Sequence, residues 1–138
     1  MVEGIVKIKP DKEKAKSILK MANTTLEMIN STDSEKFPSI VIKEYYEVIR
    51  SLTNAILLID GFKTEGEGAH KRMIEYLKTN YRQFSQYEIS TIDNLRIIRN
   101  RIAYEGFFIK GDYLVRKRNH ILKIIDKLIK ILKEKLGD

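Results

Sequence analysis

The chain has 138 residues, no cysteine, and 26 Lys and Arg against 19 Asp and Glu, a formal net charge of +7. The missing cysteines exclude disulfides, thiolate metal sites, iron–sulfur clusters and thiol nucleophiles. With 43% hydrophobic and 33% charged residues but only 7 Gly and 2 Pro, the composition excludes a disordered chain and predicts one helical domain with its own core.

Strand-like character is confined to "GIVKI" near the start. The first helix is expected from about Asp11, with Ala15, Ile18, Leu19, Ala22, Leu26 and Ile29 on one face. "NSTDSE" breaks it, Ser34 is positioned to cap the next helix, and Pro38 fits a first turn, whose amides have no intrahelical acceptor. This second helix is the most apolar. Ile42, Tyr45, Ile49, Leu52, Ile56 and Ile59 form its stripe, "AILLI" widens that stripe almost all round, and Gly61 ends it. "GFKTEGEGAH" has the glycines of a phosphate loop but not the lysine-serine/threonine ending, and reads as a flexible connector.

A third helix is expected from about His70 to Phe84, presenting Met73, Ile74, Leu77, Tyr81 and Phe84. Ser90 with Asp93 offers a box-like N-cap for a fourth helix ending at Gly106. Asp112 offers the cap for a last helix to about Leu136, with Leu114, Ile121, Ile125, Leu128 and Leu132 inward. The expected fold is all-α, an antiparallel four- to five-helix up-and-down bundle with no internal repeat. No stretch approaches the roughly 20 apolar residues of a membrane span, and the first residues lack a secretory signal, so the expected location is cytoplasmic.

The basic excess favours anionic partners, RNA, DNA and nucleotides among them. Part of it is local, with nine Lys and Arg against four Asp and Glu from Lys110 onward. "RKRNH" with Lys110, Lys123 and Lys127 has the charge to track a nucleic-acid backbone, or to form a solvated helix face. The two histidines, His70 and His120, stand apart in sequence. No HxxxH or HExxH spacing supports a metal site, and nothing calls for a cofactor.

The stretch "RNRIAYEG", residues 99 to 106, is the least ordinary. At about 100° per residue, Ile92, Leu95, Ile98 and Ile102 define the inner face of the fourth helix, and Arg99 falls about 50° from its centre. Arg96 and Arg101 fall further out, toward solvent. A guanidinium at a core edge needs a carboxylate, a phosphate or a second protein surface. Glu44, Glu47 and Asp60 on the second helix are candidates to orient it. Tyr104 lies about 140° around the axis from Arg99, so a shared site requires a deformed helix or a second subunit.

These residues, with the long apolar helix "YYEVIRSLTNAILLIDGFKTEGEGAHKRMIEYL" before them and a basic amphipathic helix after, resemble the HEPN superfamily over roughly residues 40 to 135. The resemblance implies a homodimer with an Arg-x4-6-His motif at its interface, encoded beside a minimal nucleotidyltransferase. In active members the histidine is the general acid/base and the arginine stabilises phosphoryl charge in a metal-independent ribonuclease. Arg99 fits the arginine and Asn100 the polar residue after it. The allowed histidine positions hold Tyr104, Glu105 and Gly106, and the position of the tyrosine that receives nucleotides in the toxin–antitoxin branch is Gly106. Tyrosine, with an ordinary pKa of about 10 against about 6.5 for histidine, is poorly suited to proton transfer at neutral pH, but its ring stacks on bases and its hydroxyl bonds phosphate.

Three readings follow. The leading one is a dimeric RNA- or nucleotide-binding protein, partner of a minimal nucleotidyltransferase, with Arg96, Arg99, Asn100, Arg101 and Tyr104 as ligand contacts. The second is a divergent metal-independent endoribonuclease toxin of a toxin–antitoxin pair, with Arg99 and Tyr104 as degenerate catalytic residues and His70, His120 or Tyr104 moving the proton. The third is a noncatalytic helical interaction module whose arginine anchors a dimer.

Overall fold

Apolar side chains three and four residues apart dominate the long segments of the chain, and the computed structural model, which describes residues 4–137, turns these segments into helices. In chain order the elements are β1 (Ile5–Lys7), α1 (Lys12–Asn30), α2 (Pro38–Asp60), β2 (Phe62–Thr64), α3 (Ala69–Asn80), α4 (Gln86–Glu105) and α5 (Gly111–Leu136). The helices form an all-α antiparallel bundle around α2, which packs against each of the other four. Tyr45, Tyr46, Ile49, Leu52, Ile56 and Leu57 of α2 are buried at its centre. Each such aliphatic side chain stabilises the fold by roughly 1.5–3 kcal/mol through area removed from water. No described helix is long and apolar enough to cross a membrane.

The helix ends follow local chemistry. Asp11 caps α1, its carboxylate accepting from the Lys14 amide at 3.0 Å, and Pro38 occupies the first turn of α2. Gly61 and Gly106 close α2 and α4 with φ of +90° and +64°, a left-handed conformation that a Cβ would penalise. The Gly106 and Phe107 amides then both turn back to the Arg101 carbonyl, the latter at 3.2 Å, and so satisfy an acceptor in the last turn of α4.

Three helix starts differ from the sequence expectation. Ser34 does not cap α2: Phe37 holds that position, and the Ser34 hydroxyl accepts from Arg118 at 3.1 Å instead. The fourth helix begins a turn before Ser90, because Ser85 and Glu88 form a full capping box, at 3.1 Å and 2.9 Å. Lys127 adds an ion pair to the same Glu88 oxygen at 2.7 Å. Burial works to raise the Glu88 carboxyl, and Lys127 with the Ser85 amide outweighs it and holds the group below the usual carboxylate range. Asp93, left inside the helix, pairs with Arg96. The last helix starts at Gly111 with Lys110 in the cap position, so Asp112 contributes a favourable first-turn charge rather than a cap.

The other two corrections have tertiary causes. "GFKTEGEGAH" is not simply a connector. Its start is β2, antiparallel to β1 with Val6 opposite Lys63, so the strand character around "GIVKI" finds its partner there. Arg72 then pins the loop by donating to the Glu65 carbonyl at 3.4 Å and to the Glu67 carbonyl. The third helix stops at Asn80 instead of Phe84, because Tyr81 leaves helical geometry and its hydroxyl donates to Asp60 at 2.5 Å.

Asp60 is the knot of that corner. Tyr76 donates to the same carboxylate oxygen at 2.7 Å, and Lys135 pairs with the other oxygen at 2.8 Å, so one side chain ties α2, α3 and α5 together. Burial, followed by the hydrogen bonds to Asp60, pushes both phenols well above their ordinary value, so they remain donors throughout the physiological range. Replacing Asp60 with alanine strands two half-buried hydroxyls and an ammonium, and Asp60→Ala is expected to lose about 3 kcal/mol of stability. Urea denaturation measures it. A loss below about 1 kcal/mol would show that the three donors are hydrated at no cost.

Candidate functional site

The second and fourth helices meet along one edge of the core, where three arginines collect beside two carboxylates, Glu47 and Asp93. Glu47 of α2 accepts from the Arg99 Nε at 2.9 Å on one oxygen, and from its own helix neighbour Arg50 at 2.6 Å and 3.1 Å on the other. Arg96 pairs with Asp93 one turn earlier on α4, at 2.9 Å. The side chains of Arg99 and Arg96 are only 16% and 20% exposed, a burial that makes their remaining donors worth satisfying.

Glu47 is therefore the carboxylate that orients Arg99. Asp60 is committed to its tyrosines and Lys135, and Glu44 makes no ion pair among the described residues. Burial works to raise the Glu47 carboxyl, but the Arg50 and Arg99 contacts prevail and hold it below its ordinary value.

Asn100 and Tyr104 join the cluster from α4. The Arg99 Nη1 donates to the Asn100 side-chain oxygen at 3.1 Å and to the Tyr104 hydroxyl at 3.4 Å, and the guanidinium lies 5.7 Å from the Tyr104 ring centre. This corrects the expectation that only a deformed helix or a second subunit brings Arg99 and Tyr104 together. Five residues span about 7.5 Å of helix axis, and two long side chains reach across that distance despite their angular separation. Tyr104 is 76% exposed, so one face of its ring is free.

Arg96 does not point to solvent as its angle implies; it folds against the bundle beside Asp93 while Ile97 is exposed. Arg101 does lie outward and takes no part in the cluster. Its guanidinium stacks 3.9 Å over the Phe107 ring.

The two histidines separate clearly. His120 packs edge-on against Tyr87 at 5.1 Å. His70, at the start of α3, stands beside the cluster with its Nδ1 3.4 Å from the Tyr46 hydroxyl, a contact whose donor depends on the imidazole tautomer. Burial, then the positive charges of Arg50 and Arg99, hold His70 below its ordinary value, so it is neutral at pH 7. Burial likewise pushes the Tyr46 phenol up to about 12. Loop geometry accounts for His70's position: the pairing of β2 with β1 and the Arg72-pinned turn deliver the start of α3 against α2.

Three cations of the basic segment on α5 are engaged within the fold. Lys117 donates to the Tyr87 hydroxyl at 2.9 Å, Arg118 to Ser34, and Lys127 to Glu88 and to the Gln83 carbonyl. Lys110 and Lys123 are exposed. Among the described residues no three His, Asp or Glu side chains converge as metal ligands. No family model, no curated protein and no solved structure matches the chain.

Sequence reasoning missed Arg50 and Tyr46. The available signal was "EVIR", a carboxylate and a guanidinium one turn apart on the most apolar helix, where an unneeded charge is costly.

Removing the shared carboxylate leaves two guanidinium groups facing each other. Glu47→Gln is expected to lower stability at pH 7 by about 1–3 kcal/mol. Because the folded Glu47 pKa is depressed, its contribution is present above the unfolded carboxylate value and is lost as pH falls through the lower folded one. Thermal unfolding of both proteins across that acid range should show the difference closing; a gap independent of pH would assign the effect to packing.

Proposed function

We propose that this chain is a HEPN-like, dimeric RNA- or nucleotide-binding protein, the partner subunit of a minimal nucleotidyltransferase, and that its ligand's phosphate docks on Arg99, Arg96 and Arg50. The observation that carries this reading is the state of the three guanidinium groups. Each keeps at least one nitrogen without a protein acceptor among the described residues, and the cluster's two carboxylates, Glu47 and Asp93, leave it with net positive charge. A phosphate supplies the missing acceptors and charge together. Tyr104 and Asn100 complete the contact set, the exposed phenol ring offering a stacking surface for a base.

Support for the dimer comes from apolar surface around the end of α4. Phe37, Ile40 and Phe108 are 44%, 51% and 84% exposed and line one groove together with Ile102 and Phe107. A second copy seated there would lie beside Tyr104 and enclose the arginine cluster.

One observation favours the endoribonuclease reading as the runner-up. A neutral imidazole already stands by the arginines, from a different helix than the motif predicts. With Nδ1–H donating to the Tyr46 oxygen, Nε2 is the free acceptor. It would take the proton of an RNA 2′-hydroxyl, whose oxygen attacks the adjacent phosphorus and expels the 5′-oxygen, leaving a 2′,3′-cyclic phosphate; solvent protonates the departing oxygen.

Fluorescence-anisotropy titration of single-stranded RNA should show Arg99→Ala weakening binding about tenfold or more and Tyr104→Ala weakening it by the loss of one stacking contact, about 1–3 kcal/mol. Unchanged affinity in both variants would sink the binding proposal, and sedimentation of the same samples separates lost binding from a lost dimer, the result that favours the interaction-module reading. For the nuclease, metal-free incubation with RNA is expected to give cyclic-phosphate ends in the wild type and none in His70→Ala or Arg99→Ala. Equal cleavage in all three would mean a contaminating nuclease.

A further inference from the structure

Behind the arginine cluster, the two-stranded β1–β2 sheet, α1, α2 and the start of α3 border a groove of about 320 Å³. Lys14, Arg50, Lys63 and His70 line it with Asn54 and Thr64, and no carboxylate lines it. Its apolar floor includes Leu58 and Phe62. Lys14 and Lys63 are exposed and make no ion pair among the described residues. Arg50 belongs to both places: it lines the groove, and through Glu47 it is joined to Arg99.

We propose that this groove is a second anion subsite, which takes a nucleotide phosphate between Lys14, Lys63 and Arg50, with Asn54 and Thr64 as neutral hydrogen-bonding partners and His70 at its end. The proposal rests on the reading that the chain binds a phosphate-bearing ligand, and it extends that site to the other side of Arg50. A groove with several cations, two polar side chains, an apolar floor and no carboxylate has the chemistry of a phosphate attached to an apolar or aromatic body, and its size suits a mononucleotide-scale group. The phosphate has two possible sources, a free nucleotide or the next phosphodiester of an RNA strand held at Arg99.

His70 provides a reporter inside the site. Its imidazole faces Tyr46, Glu47 and Arg50 of α2 and Arg96 and Arg99 of α4, with Lys63 of β2 and Lys14 of α1 also lining the groove. That field is mainly positive. A bound phosphate opposes it and moves the imidazole toward its protonated form, whereas His120, packed on Tyr87 and absent from the groove, registers only general effects.

The test is an NMR titration of the two imidazole signals at constant pH, with adenosine 5′-monophosphate in one arm and a short oligoribonucleotide in the other. The proteins are the wild type, the double variant Lys14→Glu/Lys63→Glu and Arg99→Ala. The expected result is a saturable shift of His70 toward imidazolium that the double variant weakens at least about tenfold, as reversing two phosphate-facing charges should. Both lysines are exposed, so this variant should retain the wild-type helical circular dichroism. A shift with the monophosphate identifies a free nucleotide as a sufficient ligand, and a shift with the oligoribonucleotide alone identifies the strand's phosphodiester; either supports the groove. No His70 shift in either arm, or an equal shift in the folded double variant, overturns it. Arg99→Ala keeps the two proposals apart. Undiminished oligoribonucleotide affinity in that variant defeats the arginine-cluster reading, while a lysine-dependent monophosphate shift still upholds the groove.

Discussion

One carboxylate shared between two helices sets the geometry of this edge of the bundle. Glu47 holds Arg50 on one oxygen and Arg99 on the other, so the guanidinium of α4 is positioned by a residue 52 places earlier in the chain. Buried α2 makes this possible. Because its core face is anchored by Tyr45, Tyr46, Ile49 and Leu52, Glu47 has little freedom to follow a departing arginine into solvent. The arrangement of Asn100 and Tyr104 depends on the same restraint, since both take their hydrogen bonds from the guanidinium that Glu47 holds. Arg99 is thus oriented by protein groups while one nitrogen remains free of them.

Most of the helical frame was legible because it is written in local chemistry. The stripe from Ile42 to Ile56 identified the central helix, and Pro38, Gly61, Gly106 and Asp11 marked ends where backbone geometry constrains the residue type. The boundaries that moved have causes beyond local pattern. Tyr81 continues the apolar spacing of α3 and reads as helical, but a carboxylate from α2 draws it out of the helix. β2 has three residues and no pattern of its own; it exists because "GIVKI" supplies a partner. The cap lies at Ser85 and not at Ser90 because the Ser85–Glu88 box closes in both directions and Lys127, from α5, secures Glu88.

The site was legible along α4 and not across helices. Angular position placed Arg99 at the core edge, where its side chain is 16% exposed, and left Glu47 as one of three possible partners. Angles failed for Tyr104 and Arg96 because they locate Cβ directions and not the ends of long side chains. His70 was visible only as one of two histidines. Its approach to Tyr46 depends on the pairing of β2 with β1 and on Arg72 closing the loop, contacts that no periodicity encodes. No histidine follows Arg99 on α4, but the fold brings the imidazole of His70 to the arginines.

Charge balance connects these features. Arg50, Arg96 and Arg99 against Glu47 and Asp93 leave an excess cation in a partly desolvated corner, and Lys14 and Lys63 extend the positive field around Arg50. Such an arrangement repels itself, and a fold selected for stability alone would relieve it with one further carboxylate or an apolar replacement. The contrast with Asp60 is instructive: there three donors converge on one carboxylate and both oxygens are used, a closed network that needs nothing from outside. The arginine cluster retains unused donors, and the groove beside it has cations but no carboxylate in its lining. The two corners of α2 therefore differ in what an arriving anion gains. At Asp60 it would displace protein bonds, whereas at Arg50 and Arg99 it would complete them.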